Sequence, residues 1–415
     1  MKKLWLLFIF SLGMSLSAYT QPAQQSTFNV EKETHAYLDR IPRDKKAQTD
    51  AYFEGGYWLQ LWAFLCGIAI AVFLVQGRLS ARMRDLAQRI TRFKPLQTGL
   101  YALQYIIVTA ILSFPLTVYS DFFREHKYDL SNQDFGGWLG DWAKGLMVSL
   151  ILGGVVMMAL FGIVRRLQRT WHIWGALVAL AFLVFTIVIG PVYIAPLFNK
   201  YTILNDAKVV DPILRLARAN GIAADKVYEM DASKQSKRVS ANVSGFLGTM
   251  RITLNDNLLN RCSLPEIEAV MGHEMGHYVL NHVLKMILFF GILVVAGFAI
   301  LRWSIEWLLA KYGARWGISG VGDVAVTPLA VFIFSTHLFI LTPFTTSFVR
   351  MQEAEADMFG LNAARQPDGM AEAALKLGEY RKMEPGPIEE WIFFDHPSGA
   401  TRIRTAMRWK AEHLP

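Results

Sequence analysis

The stretch Ser263-Leu-Pro-Glu-Ile-Glu-Ala-Val-Met-Gly-His-Glu-Met-Gly-His277 leads through His282 into the apolar run Val283 to Leu301. Ser263 with Glu266 three residues on is a capping box, and Pro265 suits a first helical turn, so a helix is expected to begin here. No breaker separates His277 from the apolar run. The expectation is therefore one helix, polar and chemical in its first half and membrane-crossing in its second.

Within it, His273-Glu274-Met275-Gly276-His277 sets two imidazoles four residues apart, about 40° of helical rotation, so both point from one face toward a single tetrahedral ion. Glu274 lies beside them and can take a proton from a water that a zinc ion acidifies to a pKa of about 7. Two ordinary helix histidines flanking an acid would look the same, so a third ligand decides. His282, nine positions beyond His273, is rotated by about 180° on a continuous helix and reads as structural. Further on, Glu353 and Asp357 share a face, whereas Glu355 is turned about 200° from Glu353. That pattern suits one carboxylate on a metal and a second fixing a ligand histidine's tautomer. It equally suits a solvated charged turn at a membrane boundary.

Working outward, the chain has 415 residues, 53% hydrophobic and only 18% charged, too apolar for ordinary soluble domains. Crossing roughly 30 Å of hydrocarbon takes about 20 helical residues. Tyr57 to Gln76, Leu100 to Tyr119, Gly145 to Val164, Ile173 to Phe198 and Val283 to Leu301 qualify, and Val324 to Val349 joins them if helical through Pro328 and Pro343. Trp58, Trp62, Tyr101, Tyr119, Trp138 and Trp142 sit at run ends, as interfacial aromatics do. Lys2 and Lys3 before Leu4 to Leu16, then small residues, have the order of a signal peptide, with a retained first helix as the rival.

The formal charge of +8 reads as membrane anchoring by loop Lys and Arg, not nucleic-acid binding, since no basic run carries interleaved aromatics. The stretch Arg78 to Lys94, read as a loop with six cations and Asp85 alone opposing, is the strongest cytoplasmic signal. Alternation then puts the 120–143 loop outside, Arg165 to Arg169 inside, and the polar region 199–282 on the extracytoplasmic side of a plasma (inner) membrane. Cys66 and Cys262 form neither a disulfide framework nor a zinc ligand set. The region between the fourth and fifth runs reads as a helix over Asp206 to Asn220 and short strands at Lys226 to Met230, Val239 to Phe246 and Arg251 to Leu254.

His273-Glu274-x-x-His277 followed by Glu353-x-x-Ala356-Asp357 resembles the type I CAAX prenyl protease family of membrane zinc peptidases and the related heat-shock membrane peptidases. The likeness runs over nearly the whole chain. Pro115-Leu-Thr-Val-Tyr119, Glu125-x-Lys127, Asn132-Gln133, Tyr193-Ile-Ala-Pro-Leu-Phe-Asn-Lys200 and Asn281-His282 fall in the family's order. The resemblance implies one Zn²⁺ on His273, His277 and Glu353, with Asp357 behind them. His396-Pro397 and Arg402 resemble the family's C-terminal His-Pro and Arg pair. By that likeness His396 donates to the oxyanion, and Arg402 pairs a substrate carboxylate or orients the site. Ser240-Ala241-Asn242-Val243-Ser244-Gly245 resembles the family's substrate-pairing edge strand, with Ser240 standing where the family has Asn.

The expectation is a mainly α, multi-pass membrane protein of about six or seven spans with a small α+β catalytic region bearing an edge strand. Its parts are a signal peptide or first helix (1–20), an N-terminal membrane domain (21–200) and a zinc peptidase domain with two spans (201–415). The expected activity is endopeptidase hydrolysis of an extended or lipid-modified peptide at the bilayer. A broad quality-control peptidase for membrane proteins is the alternative within that chemistry. A non-catalytic metal-bearing scaffold or transporter has no need of Glu274, which is not a ligand.

Overall fold

The computed structural model describes residues 28–244 and 250–414. Four long apolar helices, Arg43–Gln76, Lys94–Lys127, Phe135–Arg166 and Trp171–Leu197, precede the extramembrane region, and a fifth, His282–Trp316, follows it. The expected signal segment, residues 1–20, lies outside the described residues. The spans pack through Val75, Tyr101, Phe161, Trp171, Phe298, Leu301 and Ile333, a core that draws on both halves of the chain. Ile111, Ile151, Leu288 and Ile292 stay exposed, which is stable only with hydrocarbon as the solvent.

Three expectations change. The sixth run is not one helix: it breaks at Leu341 into Thr327–Ile340 and Thr342–Ala364, and the pair bends by 57°. Pro328 and Pro343 each sit in a first turn, where the missing N–H costs nothing, so each proline starts a helix instead of interrupting one. Nor does the histidine helix run on into the membrane. It spans Leu264–Val279, and Asn281 takes the left-handed conformation (φ +56°) before the span starts at His282. Asn is among the few residues that tolerate this region as a helix stop. The cationic segment after Arg78 is a helix, Leu79–Ile90, whose Ser80 hydroxyl bonds Tyr101 Oη (2.6 Å) and the Ala325 carbonyl (2.8 Å).

The capping box forms as expected, with Glu266 accepting the Ser263 N–H. The extramembrane sheet has strands β1 (Tyr201–Ile203), β2 (Val227–Met230), β3 (Ala241–Ser244) and β4 (Arg251–Asn255), in spatial order β1-β2-β4-β3. β3 pairs antiparallel with β4 on one side only, and is an edge strand among the described residues. The helix Ala207–Ala219, capped by Asp206, covers the sheet through Ile213 and Ala217, with Met271 and Met275 of the histidine helix in the same core. A second small core joins the N-terminal helix Val30–Leu38 to the C-terminal helices Pro367–Leu377 and Gly399–His413 through Leu38, Met370, Ile403 and Met407.

Candidate metal and catalytic site

Two helices build the site, Leu264–Val279 and Thr342–Ala364, and glycine sets how closely they approach. A Cβ on Gly360 would lie 2.8 Å from the His273 backbone nitrogen, and one on Gly276 3.1 Å from Ala356 Cα. At that contact Glu353 reaches across to both histidines. Its carboxylate lies 3.2 Å (Oε2) from His273 Nε2 and 3.4 Å (Oε1) from His277 Nε2, and the two Nε2 atoms are 3.1 Å apart. Ligands about 2.0–2.1 Å from a tetrahedral ion stand about 3.3 Å from one another, so these spacings fit such an ion. Glu353 Oε2 is buried without a hydrogen bond, an acceptor aimed at the same point.

The hydrogen bonds behind the two rings leave one nitrogen of each facing Glu353. His273 Nδ1 donates to Asp357 Oδ1 (2.8 Å), which leaves Nε2 as a lone pair toward the centre. Asp357 in turn is held by the buried Arg402 through Nε (2.8 Å) and a second guanidinium nitrogen. On the other ring, His282 Nε2 donates to Glu355 (3.1 Å), so His282 Nδ1 accepts from His277 Nδ1 at 2.8 Å and His277 also presents a bare Nε2. The helix break at Asn281 swings His282 under His277. The rotation argument for His282 assumed a continuous helix, which the break removes, yet His282 still stands outside the three-donor cluster and supports His277 from behind. Burial and the neighbouring His273 push His277 down to about 4, keeping it neutral at ordinary pH. Glu274, half-buried on the same helix, is raised to about 7 by burial, against the opposing influence of His273.

This geometry accords with what the chain resembles. Residues 204–410 match the model of peptidase family M48, and residues 27–200 match that of the CAAX prenyl protease N-terminal region, five membrane helices. The chain belongs to peptidase family M48. An uncharacterized metalloprotease of Bacillus subtilis, YhfN, is 28% identical over 346 residues, 83% of this chain and 80% of that protein. The rice CAAX prenyl protease 1 homolog is 30% identical over 316 residues, 72% of this chain and 70% of its own length. The crystal structure of S. mikatae Ste24p superposes with a TM-score of 0.76 at 20% identity, over 91% of this chain and 94% of that one, and shares the fold. The protein is thus a multi-pass membrane metallopeptidase of the CAAX-prenyl-protease-like kind. The mainly α fold expected from the sequence, with its small sheet and edge strand, agrees with these findings.

Around the M48 histidines, a cavity of about 180 Å³ is lined by Glu274, His273, Ser240, Ala241, His396 and Arg402 among others. Ser240 and Ala241 thus meet the centre from the sheet's open edge. Asn242 is exposed and receives the Ser244 hydroxyl (3.3 Å), while Gly245 lies outside the described residues. Asn255 fixes the strand's entry, accepting the Ser240 N–H (3.1 Å) and donating to the Arg238 carbonyl (2.7 Å). His396 Nδ1 donates to Asp395 (2.7 Å), and its Nε2 lies 3.2 Å from Glu353 Oε2. Arg402 is held by Asp357 through Nε and one terminal nitrogen, and its side chain also lines this cavity. Sequence reasoning missed Asn255 and Arg381, the latter 3.4 Å from His396 Nε2. Asn255 carried a signal, as a helix-capping residue ending a strand.

Proposed function

We propose that this protein is a zinc endopeptidase that cleaves extended peptides at the membrane boundary, with His273, His277 and Glu353 holding one Zn²⁺. The observation that carries this reading is the convergence of the three donors, with both imidazole Nδ1 atoms committed elsewhere. A zinc ion bound there supplies Lewis acidity for the carbonyl and for water. Glu274, with a pKa raised toward neutrality, takes the proton from the attacking water and passes it to the leaving amine. His396, when both ring nitrogens carry protons, donates from Nε2 to the developing oxyanion, with Asp395 as counter-charge. Asp357 and Arg402 keep His273 in its tautomer. The open edge of β3, at Ser240, Ala241 and Asn242, pairs with substrate backbone, which exposes the scissile bond to Glu274.

Glu274→Gln should retain zinc and lose peptide cleavage; unchanged cleavage, or loss of the metal, would contradict the role given to it. The relatives' names point to C-terminal processing of lipid-modified peptides, and an apolar cavity of about 660 Å³ among the spans, lined by Ile70, Tyr105, Trp142 and Phe332, gives an alkyl chain somewhere to lie. A peptide carrying an S-prenyl group should be cleaved faster than its unmodified twin. Equal rates, with efficient cleavage of an unfolded membrane segment, would favour broad quality control.

We further propose a plasma (inner) membrane location with the site on the extracytoplasmic side. Arg84, Lys94 and Arg165 line one cavity with the loop Gly317 to Asp323, at span ends remote from the histidines, and positive charge marks the cytoplasmic face. Reporter fusions after Lys94 and Lys200 should report opposite sides, with Lys94 inside; the reverse polarity would overturn the orientation.

A further inference from the structure

The cavity beside Glu274 has an uneven wall. Val239, Leu258, Val270, Ala373, Ala374 and Leu377 make most of it apolar, and its 180 Å³ hold one aliphatic or small aromatic side chain. At its mouth stands Arg381, which also lines the neighbouring cavity of about 480 Å³ bounded by Tyr57, Phe393 and Asp395. The guanidinium thus sits where the two spaces meet, beside His396.

Arg381 is a cation with no anion in contact among the described residues. Among the described residues no carboxylate lies within salt-bridge distance of it, and residues 1–27 and 245–249 contain no Asp or Glu to supply one. Its one side-chain hydrogen bond is the long contact, 3.4 Å, to His396 Nε2, a neutral acceptor while Nδ1 donates to Asp395. Burial, and then the neighbouring Arg402 charge, disfavour its charged form, and Asp395 and Glu353 oppose this only from beyond contact distance. The other cations nearby are satisfied: Arg402 by Asp357, Arg238 by Glu125, and Lys382 by Glu54 and Glu389. A guanidinium largely withdrawn from water is costly unless something anionic completes it. Here the missing partner must enter from the substrate side, because the two faces left open are the cavities.

We propose that Arg381 is a specificity-determining residue that binds a carboxylate of the peptide substrate, while an adjacent apolar side chain fills the pocket beside Glu274. This rests on the peptidase reading and assigns to Arg381 the substrate contact that the sequence suggested for Arg402. The carboxylate is either an acidic side chain or the peptide's own C-terminus, and guanidinium recognises both through the same paired hydrogen bonds.

The test measures binding, so it does not depend on turnover. Full-length Glu274→Gln protein in detergent, loaded with zinc, is titrated with fluorescent peptides of one apolar sequence. One pair differs as C-terminal acid against amide, and a second set carries Glu or Gln at successive positions. At least one acid should bind about tenfold or more tighter than its neutral twin, the scale of a charge-assisted hydrogen bond. In Arg381→Gln that ratio should collapse toward unity, Arg381→Lys should keep most of it, and Arg381→Glu should prefer a Lys-bearing peptide. Lys382→Gln, a neighbouring cation already paired, should leave the ratio as it was. A wild-type preference that survives Arg381→Gln, or no acid preference at any position, would overturn the proposal. Binding preference without any cleavage by the wild type would count against the peptidase reading while leaving the Arg381 contact standing.

Discussion

Replacing His282 by Ala tests the hydrogen-bond chain behind the metal without touching a ligand. His282 is only 2% exposed, and its Nδ1 is the acceptor for His277 Nδ1–H at 2.8 Å. Truncation leaves that donor partly buried and unsatisfied, a cost of about 1–3 kcal/mol. It also frees His277 to flip or change tautomer, and outer partners of metal-binding histidines are worth about 10- to 100-fold in affinity. The two magnitudes agree, and zinc binding should weaken by about one to two orders of magnitude. The next link is worth less. The Glu355 side chain is 42% exposed and shared with Lys285, so Glu355→Gln should cost about threefold or less. Competitive titration against a chromogenic chelator reads both variants. If His282→Ala binds zinc within about twofold of wild type, the inferred tautomer chain does not support His277 and the reasoning fails.

The pH dependence of kcat/KM should show an acid limb. Burial raises the Glu274 carboxyl to about 7, and a cation at the adjoining site lowers it, so the base is lost by protonation as pH falls through a value at or below about 7. A profile that rises on acidification below that point would exclude Glu274 as the base. Gly360→Ala should lower both thermal stability and metal affinity, because its methyl would meet the His273 backbone nitrogen at 2.8 Å and the helices must part, at a cost of about 1–3 kcal/mol. Calorimetry with and without zinc would check it, and an unchanged melting temperature would show that the helix contact is looser than described. Asn281→Val should destabilise by about 1–2 kcal/mol, since a β-branched residue resists the left-handed backbone there, whereas Asn281→Gly should be nearly neutral; equal effects would remove the conformational explanation.

Much of the site was legible because helical spacing is rigid. A spacing of four from His273 to His277, and again from Glu353 to Asp357, fixes which side chains share a face whatever surrounds them. What brings the two pairs together was not legible, since it depends on long-range contacts in which Gly360 meets Gly272 and His273 while Gly276 meets Ala356. The break at Asn281 was obscured by the apolar continuity around it, though Asn in that position is a recognised helix stop. The same break brings His282 against His277 Nδ1, a contact that the rotation along one helix did not show. Pro343 misled in the opposite direction: a proline within an apolar run admits either a kink or a new start, and the 57° bend answers to tertiary packing. Leu79–Ile90 was hidden by its own charge, because Arg82, Arg84 and Arg89 mask the buried side made by Ser80, Ala81 and Ala87. Arg381 lies in an irregular segment between helices, where no periodicity says which way a side chain points.

The central claim is a joint grip on one ion by side chains from two separate helices. Metal analysis of purified wild type beside Glu353→Ala addresses it most directly. The wild type should carry zinc in near-equimolar amount and Glu353→Ala should lose nearly all of it after the same chelator wash. Full retention of zinc by Glu353→Ala would contradict the account.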